Sequence, residues 1–497
     1  MARMTAPSPA QLVARVWNLA HVLRNDGVGY GDYLEQITFL LFLKMADEMD
    51  GQPDAPQVPE EYRWDKLSEL TGAALESQYR HTLEELAKED GLLGVIFRKA
   101  QNKINDPANL KQVVGLIGRQ QWMGLGFDVK GEIYEGLLQR NAEDVKGGAG
   151  QYFTPRPLID AVVEVVNPKP GETIADPACG TGGFLLSARD YLATQYNLDP
   201  EQRRTLREST FHGTDIVDSV VRLAAMNMFL HGIGGKSTPV ERADSLAKQP
   251  SMGVDIVLAN PPFGVKGTMV ELDAEGNAVK QQQSYARTDF TATTSNKQLN
   301  FLQHILTLLN VGGRAAVVVP DNVLFEAGAG ETIRRRLLHD CNLHTILRLP
   351  TGIFYAQGVK ANVLFFDRHA SGETHQTSQV WVYDLRTNLH FTLKTRQMKA
   401  ADLRDFVEVY HADDRSQRQE SERFKRYTLD EVLARDKVNL DIFWLKDDSL
   451  EEGSDLPAPQ LLAAEIVESL EAALEEFRQV ADELGEEVGE SSLAVSG

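Results

Sequence analysis

Apolar residues recur at helical spacing through the first part of the chain. The stretch QLVARVWNLAHVLRN has an apolar residue every three or four positions, stops at the glycine-rich DGVGYGDY, and is followed by the strongly apolar LEQITFLLFLKMADEM. This pattern predicts an all-α N-terminal domain over residues 1–146. Trp17 and His21 fall within the apolar pattern, which indicates core or interface positions rather than catalytic ones.

From about residue 147 to 370, short β-rich runs alternate with helical patterns. The predicted strands are ETIADPA, STFHGTDI, VDIVLANPP, GRAAVVVPD, LHTILRLP and NVLFFD, with helices such as GGFLLSARDYLATQY, DSVVRLAAMNMFLHG and NFLQHILTLLN between them. Alternation of this kind is typical of the α/β class with a doubly wound, Rossmann-like sheet. In such a sheet ligands bind beyond the carboxyl ends of the strands, so the chemistry is expected at that edge.

Two further segments have patterns of their own. Residues 265–298 follow an Asn-Pro-Pro sequence and are polar without periodicity, which predicts a long loop that is either functional or a mere insertion. Residues 456–490 predict a helix with an apolar heptad seam and acidic outer faces, which packs on a helix of this chain or of a partner. The seam positions are Ala463, Val467, Leu470, Leu474, Phe477, Ala481, Leu484 and Val488. The expected division is therefore 1–146, 147–395 for the α/β domain, 396–455 for a mixed extension, and 456–490.

Composition limits the class and cellular location of the protein but does not indicate a function. The net charge of −21 is uneven, because the chain from residue 448 onward holds 14 Asp/Glu and one Arg, so the total says little about any single face. No apolar run is long enough for a signal peptide or a membrane span. Cys179 and Cys341 are too few for a disulfide framework or a four-cysteine zinc site. These observations predict a cytoplasmic protein that does not contact a membrane.

The stretch TIADPACGTGGFLLSA, residues 173–188, has the form of a binding loop. A predicted strand ends at Asp176, three glycines follow, and a helix begins near Phe184. A dinucleotide fingerprint needs a further glycine where Leu185 stands, and Asp176 would repel phosphate but suits an ammonium group. At the end of the next strand, Asp215 is placed to accept hydrogen bonds from ribose hydroxyls. A ligand with an adenosyl group and an amino-acid arm satisfies both acids, and S-adenosylmethionine is that ligand.

The stretch DIVLANPPFG, residues 255–264, ends a buried strand with groups suited to methylation of an aromatic amine. Such an amine is a poor nucleophile because its lone pair is delocalised into the ring. Acceptors on its hydrogens, the side-chain carbonyl of Asn260 and the backbone carbonyl of Pro261, would turn the lone pair toward a methyl donor, and the stiff turn made with Pro262 fixes their directions. Phe263 can stack on a base flipped out of a duplex. The chemistry demands no general base, so two histidines are predicted to be structural or solvent-facing: His212 and His304.

The order of these motifs is similar to that of the amino-methyltransferases of DNA. DPACGTGGF is followed by GTDI and NPPF, and GAGQYFTPRPLIDAVV lies just upstream. With KGEIYEGLL at 130–138, NFLQHILTLLNVGGRAAVVVPDNVLF at 300–325 and LPTGIFYAQGVKANVLFF at 349–366, the chain resembles the modification (M) subunit of type I restriction-modification systems over nearly its whole length. The resemblance implies a site-specific DNA methyltransferase that moves a methyl group from S-adenosylmethionine to N6 of adenine. Asparagine rather than serine at position 260 favours adenine N6 over cytosine N4 in this family.

The resemblance also implies which residues form the site. No metal-binding residue is expected among them. Asn260, Pro261, Pro262 and Phe263 would be catalytic. The residues implied to bind the cofactor are Gln151, Tyr152, Phe153, Thr154, Pro155 and Arg156, which would wrap it, Asp176, Ala178, Gly180, Thr181, Gly182 and Gly183 of the loop, Asp215 at the ribose, and Asp244 near the adenine ring.

Partners follow from the same resemblance. The family acts on double-stranded DNA, but a separate specificity (S) subunit chooses the sequence, commonly with two M copies per S, and a restriction (R) subunit supplies the nuclease and translocase. This chain has no GxxxxGK[ST] phosphate loop. The predicted heptad helix is available for docking on a helical partner, and Lys266, Lys297 and the 265–298 loop are expected near DNA.

Three other interpretations stay open from the sequence. A stand-alone methylase of another phage-defence system would share every motif used above. A protein glutamine methyltransferase also uses an Asn-Pro-Pro-aromatic sequence, although the long helical N-terminus and QYFTP segment argue against it. An inactive scaffold that binds DNA and the S subunit is the third.

Overall fold

The computed structural model describes residues 9–24, 27–51, 55–122, 134–138, 154–234, 238–263, 268–272, 278–282, 285, 287–354, 359–392, 395–446, 467 and 474. Its helices are α1 Pro9–Arg24, α2 Tyr30–Glu48, α3 Trp64–Ser68, α4 Gly72–Leu86, α5 Gly91–Phe97, α6 Pro107–Gly118, α7 over residues 134–138, α8 Arg156–Val166, α9 Gly183–Gln195, α10 Pro200–Glu208, α11 Asp218–Leu230, α12 Lys297–Leu308, α13 Asp321–Phe325, α14 Ala329–Asp340, α15 Ala400–Tyr410 and α16 Leu429–Leu433. Its strands are β1 Ile174–Asp176, β2 Phe211–Asp215, β3 Val240–Arg242, β4 Val254–Ala259, β5 Thr268–Leu272, β6 Ala278–Gln282, β7 Leu309–Pro320, β8 Cys341–Arg348, β9 Ala361–Arg368, β10 Gln379–Asp384 and β11 Phe424–Thr428.

Nine of these strands form one sheet in the order β11-β10-β8-β9-β7-β4-β1-β2-β3. The ladders joining β3, β2, β1, β4 and β7 are parallel, whereas β9 pairs antiparallel with both β7 and β8, and β11 pairs antiparallel with β10. β8 and β10 are again parallel. The prediction of a doubly wound α/β sheet is confirmed, and all six strands predicted from the sequence are present.

Strands β3, β5, β6, β10 and β11 were not predicted from the sequence, although β10 is an apolar and almost fully buried strand. β3 has three residues and only Val240 is buried, so it has no apolar run to mark it. Residues 265–298 were predicted as an irregular loop, and that prediction is wrong for β5 and β6, which pair as an antiparallel hairpin. β11 lies within the mixed 396–455 segment and pairs with β10, so that segment adds the edge strand to the sheet. The domain boundaries themselves stay a prediction.

Successive residues of the central strands contribute side chains to two hydrophobic cores, one on each face of the sheet. Ile256 and Leu258 pack with α8, α9, α11 and α15, whereas Val257 and Ala259 pack with α12, α13 and α14. This two-sided burial is what turns the central strands into continuous apolar runs such as VDIVLA. The sheet is therefore rigid where its strands end, which is where the candidate site lies.

Helix α11 joins the N-terminal helices to the sheet. Its residues Ala224 and Met228 belong to the core of the α/β domain, while Met226 and Phe229 belong to the core of helices α1 to α6. The helical domain is thus packed directly against the element that follows β2. The sequence predicted the helical domain but not this shared helix.

Replacement of Arg222 by methionine is expected to destabilise this junction. Arg222 is buried on α11, donates from Nε to the Ile96 carbonyl at 2.7 Å, and pairs with Glu35 on α2. Methionine keeps most of the volume but leaves the carboxylate and the carbonyl without their donor, which costs about 3 kcal/mol. Urea denaturation should show this loss, whereas the exposed Arg204→Met on α10 should change the midpoint little; equal effects would contradict the role given to Arg222.

The structure bears on two further predictions, the absence of a membrane span and the helix at 456–490. Within the described residues, no helix is both long and apolar enough to cross a membrane. Of the predicted 456–490 helix only Val467 and Leu474 lie in the described part; both are helical and about half exposed, at 53% and 52%. The heptad seam and what it packs against stay a prediction.

Candidate functional site

Four neighbouring strands place polar side chains side by side at one edge of the sheet. Asn260 follows β4, Asp176 ends β1, Asp215 ends β2 and Asp244 follows β3. The register pairs Asp176 with Gly213 and Asp215 with Arg242, so from β1 to β3 each acid stands two residues further out than the one on the neighbouring strand. With strands about 4.8 Å apart, the row from Asn260 to Asp244 spans roughly 15 Å. The structure therefore brings together most of the residues that the sequence indicated.

The loop after β1 is held by backbone hydrogen bonds to its neighbours. The Cys179 N–H donates to the Thr214 carbonyl at 3.0 Å, and the Gly182 N–H donates to the Cys179 carbonyl at 2.8 Å. Gly182 has φ +86°, a left-handed conformation that calls for glycine, and a Cβ there would also lie 3.2 Å from the end of the Met228 side chain. Its left-handed conformation turns the chain directly into α9.

Asp176 is a buried acid, only 2% exposed, at the base of this loop. Its Oδ1 accepts a hydrogen bond from the Ala178 N–H at 3.0 Å. Burial, aided by the nearby charge of Asp215, raises the pKa of Asp176 to about 8. Burial therefore favours the neutral carboxyl, and a cation that reaches Asp176 would favour its ionised form.

Asp215 ties the second strand to the glycine loop. Its Oδ2 accepts from the Gly180 N–H at 3.2 Å and its Oδ1 accepts from the Val217 N–H at 3.0 Å. Burial raises its pKa, against the opposing effect of these amide donors. The next residue, Ile216, is 56% exposed, so an apolar surface stands beside the acid. A half-buried carboxylate next to an exposed aliphatic side chain suits a sugar hydroxyl attached to a flat ring.

Asp244 belongs to the same row and contacts the segment downstream of the Asn-Pro-Pro turn. The Tyr285 hydroxyl donates to its Oδ2 at 3.2 Å, and the Leu246 N–H donates to its Oδ1 at 2.9 Å. Arg287 donates to the Ser245 carbonyl at 3.3 Å. Tyr285 and Arg287 therefore pack against the segment that follows β3.

Asn260 has an orientation fixed by a residue far away in sequence. Its Nδ2 donates to Oγ1 of Thr154 at 2.8 Å, and both side chains are buried. Its Oδ1 is also buried, yet in the described part of the chain it has no hydrogen-bond partner. A buried carbonyl without a donor costs roughly 1–3 kcal/mol, so this acceptor is suited to a donor that arrives with a ligand.

The rest of the NPPF turn is braced by two later segments. The Gln298 side chain on α12 donates from Nε2 to the Pro262 carbonyl at 3.0 Å. The Phe263 ring meets the Phe354 ring edge to face, with centroids 5.3 Å apart and planes at 84°. Phe354 is buried while Phe263 is partly exposed, so the outer ring can meet a planar group.

The segment before α8 splits into described and undescribed residues. Gln151, Tyr152 and Phe153 lie outside the described residues. Pro155 is the last residue before α8, and its carbonyl accepts the N–H of Leu158 and Ile159. The guanidinium of Arg156 contacts three carboxylates at about 3 Å, those of Glu135, Asp160 and Asp190. These contacts tie α7, α8 and α9 together.

Two other titratable residues near the motifs, His304 and Cys179, are buried in the fold. His304 is buried, its Nδ1 lies 2.9 Å from the Arg287 guanidinium, and burial lowers its pKa to about 4. Cys179 is buried, and burial raises the pKa of its thiol well above the usual value. Because the His304 imidazole is already hydrogen-bonded to Arg287, it is not expected to act as a general base. The thiol of Cys179, kept protonated by burial, is not expected to act as a nucleophile.

Several residues at this edge were not found from the sequence. Ile216, Asn227, Tyr285, Gln298 and Phe354 all contact motif residues or stand beside them. Asn227 on α11 donates to the Thr181 carbonyl at 3.0 Å and so holds the glycine loop. Ile216 and Phe354 lie within motifs that the sequence did mark, but only the fold shows which side chains face the site.

Comparisons with known proteins agree with this geometry. Residues 126–445 match the model of the family described as N-6 DNA Methylase, and residues 12–117 match that of the HsdM N-terminal domain. The chain is 39% identical to the StySJI type I restriction enzyme methylase subunit of Salmonella typhimurium, over 95% of each chain. This chain belongs to the family of methylase subunits of type I restriction enzymes.

Solved structures show the same relationship. The crystal structure of the type I restriction enzyme EcoKI M protein matches 96% of both chains with 35% identity and a TM-score of 0.52. A chain from a structure of the type I restriction-modification system covers 97% of this chain and 100% of its own length, with 27% identity and a TM-score of 0.72. The resemblance stated from the motifs is confirmed, and the family's DNA methyltransferase activity argues against the protein glutamine methyltransferase interpretation.

Proposed function

We propose that this methylase subunit transfers a methyl group from S-adenosylmethionine to N6 of an adenine that has been flipped out of its duplex. The observation that carries the proposal is the buried Oδ1 of Asn260, which has no partner among the described residues while its Nδ2 is held by Thr154. A carbonyl fixed in this way is ready to accept a hydrogen from an amino group. The amino group of an adenine would supply such a hydrogen.

The geometry explains how Asn260 would act on that amino group. Accepting one N6 hydrogen draws the nitrogen away from planarity, and the lone pair then points out of the ring plane. Gln298 holds the Pro262 carbonyl, so the backbone of the turn cannot rotate away from the base. Phe263, backed by Phe354, offers a ring face for the extruded adenine.

The row of acids fits S-adenosylmethionine in size and charge. When bound, the cofactor supplies an activated methyl group on a sulfonium. Asp176, close to β4, would hold the ammonium group, Asp215 the ribose hydroxyls, and Asp244 the adenine end, with Ile216 against the ring. The row from Asn260 to Asp244 spans roughly 15 Å, and a cofactor held by the three acids in this way would have its methyl-donating end nearest to Asn260.

Sequence choice is proposed to come from a specificity subunit, with two methylase subunits per specificity subunit and a restriction subunit in the full complex. The support is family membership: the EcoKI and StySJI proteins are named as the M protein or methylase subunit of a type I restriction enzyme. The predicted C-terminal heptad helix is the proposed docking element. A stand-alone methylase remains the alternative.

Tritiated methyl transfer to unmodified genomic DNA tests the function and its dependence on a partner. The protein is assayed with and without a co-expressed specificity subunit. Label in DNA only with the partner is the expected result. Label without the partner would favour a self-sufficient methylase, and no label in either case would contradict the proposal.

Asp176→Asn is expected to stabilise the cofactor-free protein at pH 8 and to weaken its affinity for S-adenosylmethionine. The pKa of Asp176 is raised to about 8 in the fold, above the unfolded value near 3.9, so the folded state keeps a proton that the unfolded state releases. The contribution of Asp176 to stability is therefore greatest below about pH 4 and falls as the pH rises toward 8.

Urea denaturation at pH 5 and pH 8, together with calorimetric cofactor titration, checks this prediction. The stabilising effect of Asp176→Asn should be larger at pH 8 than at pH 5. Asparagine keeps the acceptor for Ala178, so the loop should survive. Equal destabilisation at both pH values, or unchanged cofactor affinity, would contradict the role of Asp176.

A further inference from the structure

A basic stretch leaves the sheet at the edge where Asn260 lies. Residues 385–401 contain four Lys or Arg and no Asp or Glu, in a chain whose net charge is −21. They follow β10, which is parallel to β8, and both strands have their carboxyl ends at the edge that holds the NPPF turn. Positive charge is thus collected at the same edge of the sheet as Asn260, on a segment that starts four strands away from β4.

One arginine of this stretch fixes it to the sheet. Arg386 donates to both oxygens of Asp321 at 2.7 Å, from Nη1 and Nη2, and from Nε to the Leu349 carbonyl at 2.8 Å. Its Nη2 also donates to the Ala361 carbonyl at 2.9 Å. Arg386 is therefore used in the fold and is not available to a ligand.

The stretch then contacts the segment that carries Phe354. A Cβ at Gly352 would lie only 2.0 Å from the Phe391 carbonyl oxygen, so the two backbones are in direct contact. Two residues further on, Phe354 supports Phe263. A continuous path of contacts therefore joins the basic stretch to the ring that is proposed to meet the adenine.

Three basic side chains at this edge of the sheet are exposed to solvent. We name them the basic rim: Lys360, just before β9, and Arg396 and Lys399 of the basic stretch. In the described part of the chain none of their side chains forms an ion pair, while the backbone N–H of Lys399 donates to the Asp402 carboxylate at 2.7 Å. Arg396 stands over the Phe391 ring at 5.5 Å. Thr392 closes a tight turn behind it, with its Oγ1 accepting the Arg396 N–H at 2.8 Å. The Thr392 N–H also donates to the Arg396 carbonyl at 3.0 Å, so two hydrogen bonds join these residues.

We propose that the basic rim binds the DNA phosphates next to the adenine that is methylated; this rests on the proposed function. Phosphates are the chemistry that exposed, uncompensated Lys and Arg side chains bind, and such contacts position a duplex without reading its sequence. The rim lies on the segments that follow β8 and β10, at the edge of the sheet that also holds Asn260. It would extend the DNA surface expected at Lys297 along this edge.

The double variant Arg396→Ala/Lys399→Ala tests the rim in the complex with the specificity subunit. Its matched control is Arg203→Ala/Arg204→Ala on α10, which removes the same charge from exposed positions before the amino end of β2. Fluorescence anisotropy of duplexes with and without the recognition sequence is measured over a series of salt concentrations.

The rim variant should bind both duplexes about tenfold more weakly at 0.1 M salt, and its salt slope should fall by about 2. The control should match the wild-type complex, cofactor affinity should be unchanged, and Arg396→Lys/Lys399→Arg should restore binding.

Three results would overturn the proposal. A rim variant with the same salt slope as the control would show that no phosphate is bound there. A rim variant that fails to assemble with the specificity subunit on gel filtration would assign the rim to a protein partner. A wild-type complex that neither binds nor methylates duplex DNA would remove the proposed function itself, and this is seen without any variant.

Discussion

Asn260→Ala is expected to lower the rate of methyl transfer by about 10²–10³-fold or more while S-adenosylmethionine and DNA still bind. Its Oδ1 is the buried acceptor that has no partner among the described residues, and alanine removes it without disturbing the glycine loop or the acids on β1, β2 and β3. The loss of one fixed hydrogen-bonding group at a reacting centre has an effect of this size. Single-turnover transfer and separate binding titrations measure it.

The matched control is Asn310→Ala. Asn310 stands near the start of β7, at the opposite edge of the sheet, where it donates to Asp255 at 3.1 Å on the surface. It should keep normal methyl transfer. An Asn260→Ala protein that transfers methyl groups within tenfold of wild type would contradict the role given to its side-chain carbonyl.

Thr154→Val is expected to lower kcat about ten- to a hundredfold with little change in the KM for S-adenosylmethionine. Valine has nearly the same shape but removes the hydroxyl that receives the Asn260 Nδ2 hydrogen at 2.8 Å. The carboxamide can then rotate, and its amino group in place of its carbonyl would face the base. Misorientation of a catalytic group lowers the rate of the chemical step more than it weakens binding.

Thr154→Ser separates orientation from cofactor contact. Serine restores the hydroxyl, so kcat should recover to near the wild-type value. The family resemblance assigned Thr154 to the segment that wraps the cofactor. A valine variant with a raised KM for S-adenosylmethionine and an unchanged kcat would support that assignment and contradict positioning of Asn260.

The sequence predicted much of the fold because its strong elements carry their own signals. VDIVLA and the apolar core of β7 are runs buried on both faces, and a glycine turn after Asp176 leads directly into α9. The chemistry proposed at Asn260 could also be predicted, because a buried strand that ends in Asn-Pro-Pro holds its carbonyl acceptors in fixed directions. Short or exposed strands such as β3 and β11 lacked apolar runs and were missed.

The contacts that assign roles could not be predicted from local sequence. Thr154 and Asn260 are 106 positions apart, and only the register of the sheet and the start of α8 bring them together. The raised pKa of Asp176 depends on burial by neighbouring strands. Likewise, Arg386 and Arg396 look alike in the sequence, but the fold pairs the first with Asp321 and leaves the second exposed.

The most direct test of the proposed mechanism is nucleoside analysis by mass spectrometry of DNA methylated by the complete complex. The central claim is that the Asn260 carbonyl receives an amino hydrogen of a flipped adenine. N6-methyladenine as the sole new nucleoside, absent from DNA treated with the Asn260→Ala complex, is the predicted result. N4-methylcytosine, or N6-methyladenine formed equally well by the Asn260→Ala complex, would contradict it.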